Sequence, residues 1–343
     1  MTLFSRSMTT RFALALCACV LVLPAQAQQE KLAQTGMKFL SLSVDARAAA
    51  MGDAVTAMDG TYASLFYNPA GMAGQTTFLS AGAGQVQHIA DITYNVAGLS
   101  FAPRDGRYGV VGLTLQHVDY GSFLETIRAN NEVGYVELGS FKPTAFAVGV
   151  GYARALSDRF SIGGHVKYAH LDLGSPVDRR SGSGGLDRID ASEGTLAYDF
   201  GMRYKTPLRG LNFAVTARNF SSEVTFVEES FQLPLTLRIG FSIDAVNLTS
   251  LDRNLHSMIV SVDATNSRDF EEQLNFGAEY GFAKTLFLRA GYVAPTDEQG
   301  ISLGGGVQRE IGGTRIGADY AYTDFGVFNQ FGRVHRVSLN LAF

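Results

Sequence analysis

The sequence predicts an all-β membrane protein, an antiparallel transmembrane barrel of ~14 strands with a small helical N-terminal hatch in its lumen. From Thr77 onward the 343-residue chain divides into short segments in which apolar and polar side chains alternate. Successive side chains of a strand point to opposite faces, so each segment has a lipid-facing and a lumen-facing side. The mean hydropathy of +0.06 fits this averaging of apolar exterior and polar interior.

The alternation is clearest in residues 198–205, 237–244 and 275–282, where aromatic or aliphatic side chains share one face and charged, amide or small residues share the other. An even number of strands closes an antiparallel barrel with both chain ends on one side. The predicted strands, with boundaries good to about two to four residues, are 77–87, 92–103, 107–123, 141–156, 159–173, 195–206, 210–221, 234–246, 256–266, 272–283, 286–295, 300–311, 314–324 and 333–343.

The N-terminal end has the pattern of a secretory signal peptide. Arg6 and Arg11 precede an apolar run at 12–23, and the small residues Ala25 and Ala27 follow it. We therefore predict cleavage after Ala27. The apolar run is too short for a transmembrane helix, which needs about 20 such residues.

Composition narrows the classes of function. Both cysteines, Cys17 and Cys19, lie in the predicted signal, so the mature chain has no disulfide, thiolate metal site or cysteine nucleophile. Cys19 leaves a lipoprotein signal open as an alternative, although the apolar residues directly after it favour ordinary cleavage. Without the signal, 26 basic and 32 acidic residues remain, which argues against a nucleic-acid partner.

The chain ends in a strand with a terminal aromatic residue. Val337, Leu339, Leu341 and Phe343 form an apolar face, with polar or small residues between them. Such an ending resembles the assembly signal of outer-membrane β-barrels and implies recognition by the barrel-assembly machinery. Together with the signal peptide, it predicts location in the outer membrane of a Gram-negative-type bacterium, in contact with outer-membrane lipid.

The lengths of the connections agree with this location, because bacterial barrels have long external loops and short periplasmic turns. The predicted external loops are 124–140, 174–194, 222–233 and 325–332, and the predicted periplasmic turns are 104–106, 157–158, 284–285 and 312–313. Two connections break the rule. The one at 247–255 is long for a periplasmic turn and the one at 88–91 is short for an external loop, so the strand count is open there.

Residues 28–76 lack the rhythm of strands. Residues 44–51 and 62–66 are rich in helix formers, and the first run ends at Gly52. A long segment of mixed polarity ahead of a barrel is most simply placed in its lumen. The predicted parts are therefore a signal peptide at 1–27, a hatch at 28–76 and a barrel at 77–343.

The hatch contains the two most specific motifs of the chain, one at 39–54 and one at 68–72. Their motif residues are Phe39, Asp45, Arg47, Gly52, Asp53, Asn68, Pro69 and Gly71. In this order the two blocks resemble the start of the PorV/PorQ family, which is similar to the FadL-like fourteen-stranded barrels with an N-terminal hatch. The resemblance is close over residues 37–75, and elsewhere it rests on strand rhythm and Phe343.

The motif residues are expected to seat the hatch rather than bind a ligand. Pro69 fixes its own φ and moves Asn68 out of the helical region, so the chain turns there. Gly52 and Gly71 permit backbone conformations or close approaches that a side chain would block. Arg47 and Asp53 are expected to pair with luminal charges, for which the candidates are Asp199, Arg203, Arg238, Asp244, Glu279 and Asp319.

Two functions follow from the resemblance. The PorV/PorQ family implies association with type IX protein secretion, with secretion components or exported cargo as partners. The FadL similarity implies, as the alternative, a transporter that admits a hydrophobic ligand. The inward charges favour the first function, because a hydrophobic pocket needs apolar lining in the upper barrel.

An enzyme is not predicted. His170 and Asp172 share a strand face, but no serine at a diagnostic spacing accompanies them. The glycine-rich stretches at 181–185 and 304–306 lack the Lys-Ser/Thr ending of a phosphate loop. We accordingly expect no catalytic residues, no metal and no cofactor.

Overall fold

The computed structural model describes residues 35–177, 188–208, 210–226, 229–296, 299–326, 330 and 333–343. The predicted signal peptide and residues 178–187 of the predicted loop at 174–194 lie outside these ranges. Among the described helices, none has the length and apolar character needed to cross a membrane.

Strands dominate the described chain. In chain order they are β1 Leu79–Gln87, β2 Thr93–Phe101, β3 Val110–Asp119, β4 Phe123–Arg128, β5 Tyr135–Phe141, β6 Thr144–Ala155, β7 Phe160–Asp172, β8 Ser192–Lys205, β9 Leu211–Phe220, β10 Val224–Phe226, β11 Glu229–Phe231, β12 Thr236–Asp244, β13 His256–Ser267, β14 Gln273–Phe282, β15 Leu286–Ala294, β16 Ile301–Ile311, β17 Thr314–Thr323 and β18 Val334–Ala342. The helical elements are short: the α-helix α1 Ala46–Ala50, and 3-10 helices at Lys38–Leu40, Tyr62–Phe66, Pro69–Gly74, Ile89–Asp91 and Ala245–Leu248.

Fourteen of these strands form one closed antiparallel barrel. Each barrel strand pairs with its neighbours in sequence, and β1 pairs with β18 to close the ring, from Ser80 opposite Ala342 to Gln87 opposite His335. The predicted fold class is confirmed. The other four described strands form two hairpins, β4–β5 and β10–β11, in the connections predicted as external loops at 124–140 and 222–233.

Both connections of unusual length join neighbouring barrel strands directly. A 3-10 helix at Ile89–Asp91 links β1 to β2, and another at Ala245–Leu248 begins the link from β12 to β13. Asp244 caps the second helix, because its carboxylate accepts a hydrogen bond from the Val246 N–H at 3.2 Å. The strand count holds at both places, since β1–β2 and β12–β13 pair along most of their lengths.

The outward side chains form an apolar band. On the last strand Val337, Leu339 and Leu341 are 49%, 59% and 41% exposed, as lipid-facing residues are in a protein without its membrane. The chain has no Trp, and Tyr and His pair at the ends of strands instead. The Tyr320 hydroxyl lies 2.7 Å from His335 Nδ1 near the external rim. Amphipathic rings of this kind suit the membrane–water boundary.

Residues 35–76 lie within the barrel and are called the hatch below. The described hatch begins at the external rim, where Thr35 bridges to Gln232 in the connection that follows β11. It ends at the opposite rim, where Leu79 starts β1. The hatch therefore runs through the full height of the lumen, from outside to periplasm.

Candidate functional site in the barrel lumen

The barrel wall holds the hatch largely through the hatch backbone. The wall donors and their hatch carbonyls are Gln116 to Phe39 (2.8 Å), Arg218 to Leu40 (3.2 Å), Arg336 to Ser43 (2.9 Å), Asn275 to Gly52 (2.7 Å), Arg238 to Asp53 (3.0 Å), Arg203 to Ala57 (3.0 Å) and Ser242 to Ala57 (3.1 Å). Buried carbonyls need a donor, and irregular backbone at membrane depth needs one from the protein. The inward arginines and amides supply these donors.

Arg47, on α1, is joined to the wall by its side chain. Its Nε and Nη2 each donate to the carboxylate of Glu279 at 2.7 Å. Arg289 of β15 donates from Nε to the same carboxylate and from Nη1 to Asp319, both at 2.6 Å. Asp45 caps α1 by accepting from the Ala48 N–H at 2.9 Å. Two of the six candidate charges, Glu279 and Asp319, thus belong to the network that seats α1.

Asp53 makes different contacts from those that its charge suggested. Its carboxylate accepts a hydrogen bond from the Ser43 hydroxyl at 2.5 Å, and Arg238 reaches its backbone carbonyl rather than its carboxylate. The candidate Arg203 donates from Nη2 to Asp59 at 2.7 Å. The candidate Asp199 accepts from Lys167 Nζ at 2.7 Å.

The Asn-Pro block turns the hatch beside the wall. Asn68 is extended, with a φ of −140°, and its side chain accepts from the Ala70 N–H at 3.0 Å while donating to the Thr56 carbonyl at 2.8 Å. Pro69 and Gly71 lie in the 3-10 helix that follows. A Cβ at Gly163 on β7 would lie 2.5 Å from the Pro69 carbonyl carbon, so glycine in the wall makes room for the turn.

Gly52 ends the α1 region in a left-handed conformation with a φ of +60°. A Cβ there would lie 3.0 Å from the backbone nitrogen of Tyr292. Both the backbone conformation and the contact with β15 therefore favour glycine at this position.

An apolar cluster fills the external part of the lumen. Phe39 and Leu40 of the hatch are 2% and 3% exposed within it. Its wall residues include Val86, Tyr94, Val118, Ala145, Ala147, Ala169, Ala197 and Val334. The inward charges of segments 198–205, 237–244 and 275–282 gave no indication of this cluster, because its apolar wall residues lie outside those segments.

His88 packs at the edge of this cluster, in the connection between β1 and β2. Its ring centroid lies 5.8 Å from that of Tyr94 and 5.4 Å from that of Phe325. Burial lowers the pKa of His88 to about 4, and the charge of Arg336 adds to the effect. The imidazole is therefore neutral at neutral pH.

A cavity of about 350 Å³ lies between the hatch and the wall at the periplasmic end. Its charged lining residues are Asp45, Arg47 and Asp59 of the hatch and Glu279, Arg289, Arg315 and Asp319 of the wall. The side chain of Asp59 is 49% exposed and that of Arg47 is 34% exposed. Apolar side chains, including Met58 and Phe287, complete the lining, so the cavity has a mixed charged and apolar character.

Sequence reasoning missed the wall residues that hold the hatch backbone, including Gln116, Arg218 and Arg336. Each is a polar residue at an inward position of a strand. This pattern is present in the sequence, but it is the same whether the side chain faces water or faces the hatch. Only the path of residues 35–76 separates the two cases.

The barrel and its hatch have the fold of FadL-like outer-membrane barrels. Similar solved structures are the toluene transporter TbuX of Ralstonia pickettii (15% identity, TM-score 0.55, 87% of this chain and 96% of that chain) and the toluene transporter TodX of Pseudomonas putida (12%, 0.56, 91% and 98%). A Pseudomonas aeruginosa FadL homologue is also similar (11%, 0.51, 88% and 98%). At these identities the likeness is one of fold alone.

The family is given by the sequence. The family described as type IX secretion system protein PorV matches residues 25–246, which is more than half of the chain. The chain belongs to this family, as the motifs predicted, and its barrel belongs in the outer membrane. No curated protein sequence matches it. The matched family is described as a secretion-system protein, and TbuX and TodX are described as transporters.

Proposed function

We propose that the protein serves type IX secretion as an outer-membrane partner of exported proteins or of other secretion components. The observation that carries this proposal is the filled lumen. Over the described residues, Phe39 and Leu40 occupy the apolar external part and α1 is bound to the wall below it. A barrel filled in this way is suited to present surfaces rather than to conduct solutes.

The external hairpin β4–β5 supports the same proposal. Phe123, Leu124 and Tyr135 on it are 47%, 55% and 42% exposed, on the side of the membrane where secreted proteins emerge. Glu125 of the hairpin pairs with Arg188 of the next external loop at 2.9 Å. Exposed aromatic residues held on an ordered hairpin are typical of protein interfaces.

The route to the membrane is part of the proposal. Cleavage after Ala27 would release the mature chain into the periplasm. The lipid-facing side of β18, together with Phe343 that follows it at 45% exposure, would then be recognised by the barrel-assembly machinery. The terminal face is accessible for such recognition because its side chains do not pack into the lumen.

One observation favours a second function, the transport of a hydrophobic compound. The apolar cluster around Phe39 has the chemistry of a hydrophobic-ligand pocket, and TbuX and TodX, which share the fold, are toluene transporters. For this function the hatch segment 37–40 has to leave the cluster so that a ligand can enter.

Affinity purification of the tagged full chain from its native outer membrane, in mild detergent, tests both functions. Bound proteins and extracted small molecules are identified by mass spectrometry. Recovery of secretion proteins in stoichiometric amount with the wild type supports the secretion role if the double variant Phe123→Ser, Leu124→Ser fails to recover them. Enrichment of one hydrophobic compound, without a protein partner, supports transport instead if the variant Leu40→Asp no longer binds that compound.

A further inference from the structure

A groove runs along the outward face of β13 in the external half of the barrel. Directly opposite residues of antiparallel strands share a face, and the register places Ala264 between Ile239 of β12 and Leu274 of β14. The next outward residue, Val262, lies between two phenylalanines in the same way. Small residues on β13 therefore form a floor between two ridges of larger side chains.

The register thus explains a cavity of about 170 Å³ on the outside of the wall. Its apolar lining consists of Leu237, Ile239, Ala264 and Leu274. The three larger side chains are 45%, 40% and 46% exposed. The groove is continuous with the lipid-facing band, so its natural occupant is a hydrocarbon chain that lies along the strand.

The external end of the groove is polar and acidic. Asn266 and Gln273 line it together with Glu272, which accepts a hydrogen bond from Asn266 Nδ2 at 2.8 Å. In the turn at 268–272, Asp269 is 4% exposed and accepts a hydrogen bond from the Thr35 hydroxyl, so Glu271 and Glu272, against Arg268, supply the accessible charge. A negative site at the level of lipid headgroups attracts an ammonium group and repels a headgroup with net negative charge.

We propose that this groove is a specific site for one outer-membrane lipid, which lays an acyl chain over Ala264 and directs an ammonium headgroup, such as ethanolamine, to Glu272. The site depends on the outer wall alone. The lipid site can therefore be tested independently of the role of the protein in secretion or transport.

The first test fills the groove. The full-length barrel is purified, incubated with phosphatidylethanolamine in mixed micelles and analysed by native mass spectrometry. The wild-type protein is expected to retain one lipid, and Ala264→Phe is expected to retain none. The matched control is Ala318→Phe, because Ala318 on β17 also faces the lipid, between Val307 and Leu339. It should retain the lipid, and heat-modifiable migration verifies that both variants fold.

The second test addresses the headgroup. The wild type should retain phosphatidylglycerol of the same acyl chains less than phosphatidylethanolamine. Retention should fall roughly five-fold for each unit of net charge by which the two headgroups differ. Glu272→Gln should keep the bound lipid but lose the preference between the two headgroups. Equal retention by wild type and Ala264→Phe overturns the site, and an unchanged preference in Glu272→Gln overturns the headgroup assignment.

A protein occupant would give a different result. Both native cysteines precede residue 28, so a single cysteine at position 264 reports on this groove alone. The lipid site is contradicted if the Ala264→Cys variant crosslinks to another protein in native membranes and the wild type retains no lipid.

Discussion

Arg47 on α1 and Glu279 on β14 form a bidentate ion pair in which both N–O distances are 2.7 Å. The pair joins a hatch side chain to the wall, whereas many other wall donors reach only hatch carbonyls. Carbonyls are the same for every residue type, so this pair makes the seating of the hatch specific to its sequence.

Breaking this pair should loosen the hatch. Glu279 is 4% exposed, and Arg47→Gln removes one of its two arginine partners. Because the Arg47 side chain is 34% exposed and Arg289 still pairs with Glu279, the cost should be about 1–2 kcal/mol, below that of a fully buried pair. Urea unfolding in liposomes should therefore shift to lower denaturant. Single-channel recordings should show openings that the wild type lacks. Arg315→Gln, an exposed charge on the same cavity, is the control, and equal effects of the two substitutions would contradict a special role for the pair.

Deletion of residues 37–75 should open the lumen. The described hatch runs from one rim of the barrel to the other, so its removal leaves a water-filled channel. Planar-bilayer recordings should then show a large steady conductance. If conductance stayed at the wild-type level in a correctly folded barrel, the segment would not be the plug.

Phe39→Ala should create a site for an apolar molecule. Phe39 is 2% exposed, and truncation of a buried Phe costs roughly 3–5 kcal/mol because it leaves a cavity. A fluorescent naphthyl probe should bind the variant more tightly than the wild type. Phe78→Ala, at a position 58% exposed, is the control and should change neither stability nor binding. An unchanged probe affinity in Phe39→Ala would weaken the transport alternative.

Phe343→Ala should impair assembly without affecting the assembled barrel. The side chain is 45% exposed on the lipid-facing surface, so its loss leaves no internal cavity. The heat-modifiable fraction in outer membranes should fall severalfold, whereas the refolded protein should unfold at the wild-type urea concentration. An equal loss of stability in vitro would assign the residue a packing role instead.

Acid should destabilise the external part of the lumen through His88. Its folded pKa is about 4, below the ordinary value of 6.5, so the unfolded chain takes up a proton first as the pH falls. The stability from the neutral, buried ring is therefore complete above pH 6.5 and declines between 6.5 and about 4. Wild type should lose more stability over this range than His88→Gln in urea titrations at several pH values. Parallel losses in both proteins would exclude His88 as the cause.

The sequence alone determined the barrel. Strand alternation, the alternation of long and short connections and the terminal face with Phe343 are local patterns, and a strand needs only such a pattern to have one apolar side. The family was also accessible, because the motif around Asp45 and Arg47 and the Asn68-Pro69 block are contiguous in the chain.

The tertiary structure decided which polar groups meet and what fills the lumen. Asp53 bonds to Ser43, Arg238 reaches a backbone carbonyl, and Phe39 lies in an apolar cluster built from strands far apart in sequence. An inward arginine has the same sequence pattern whether it faces water, a carboxylate or a carbonyl. Its partner is set by the path of the hatch through the closed ring, because long-range contacts arise only when all fourteen strands are in register.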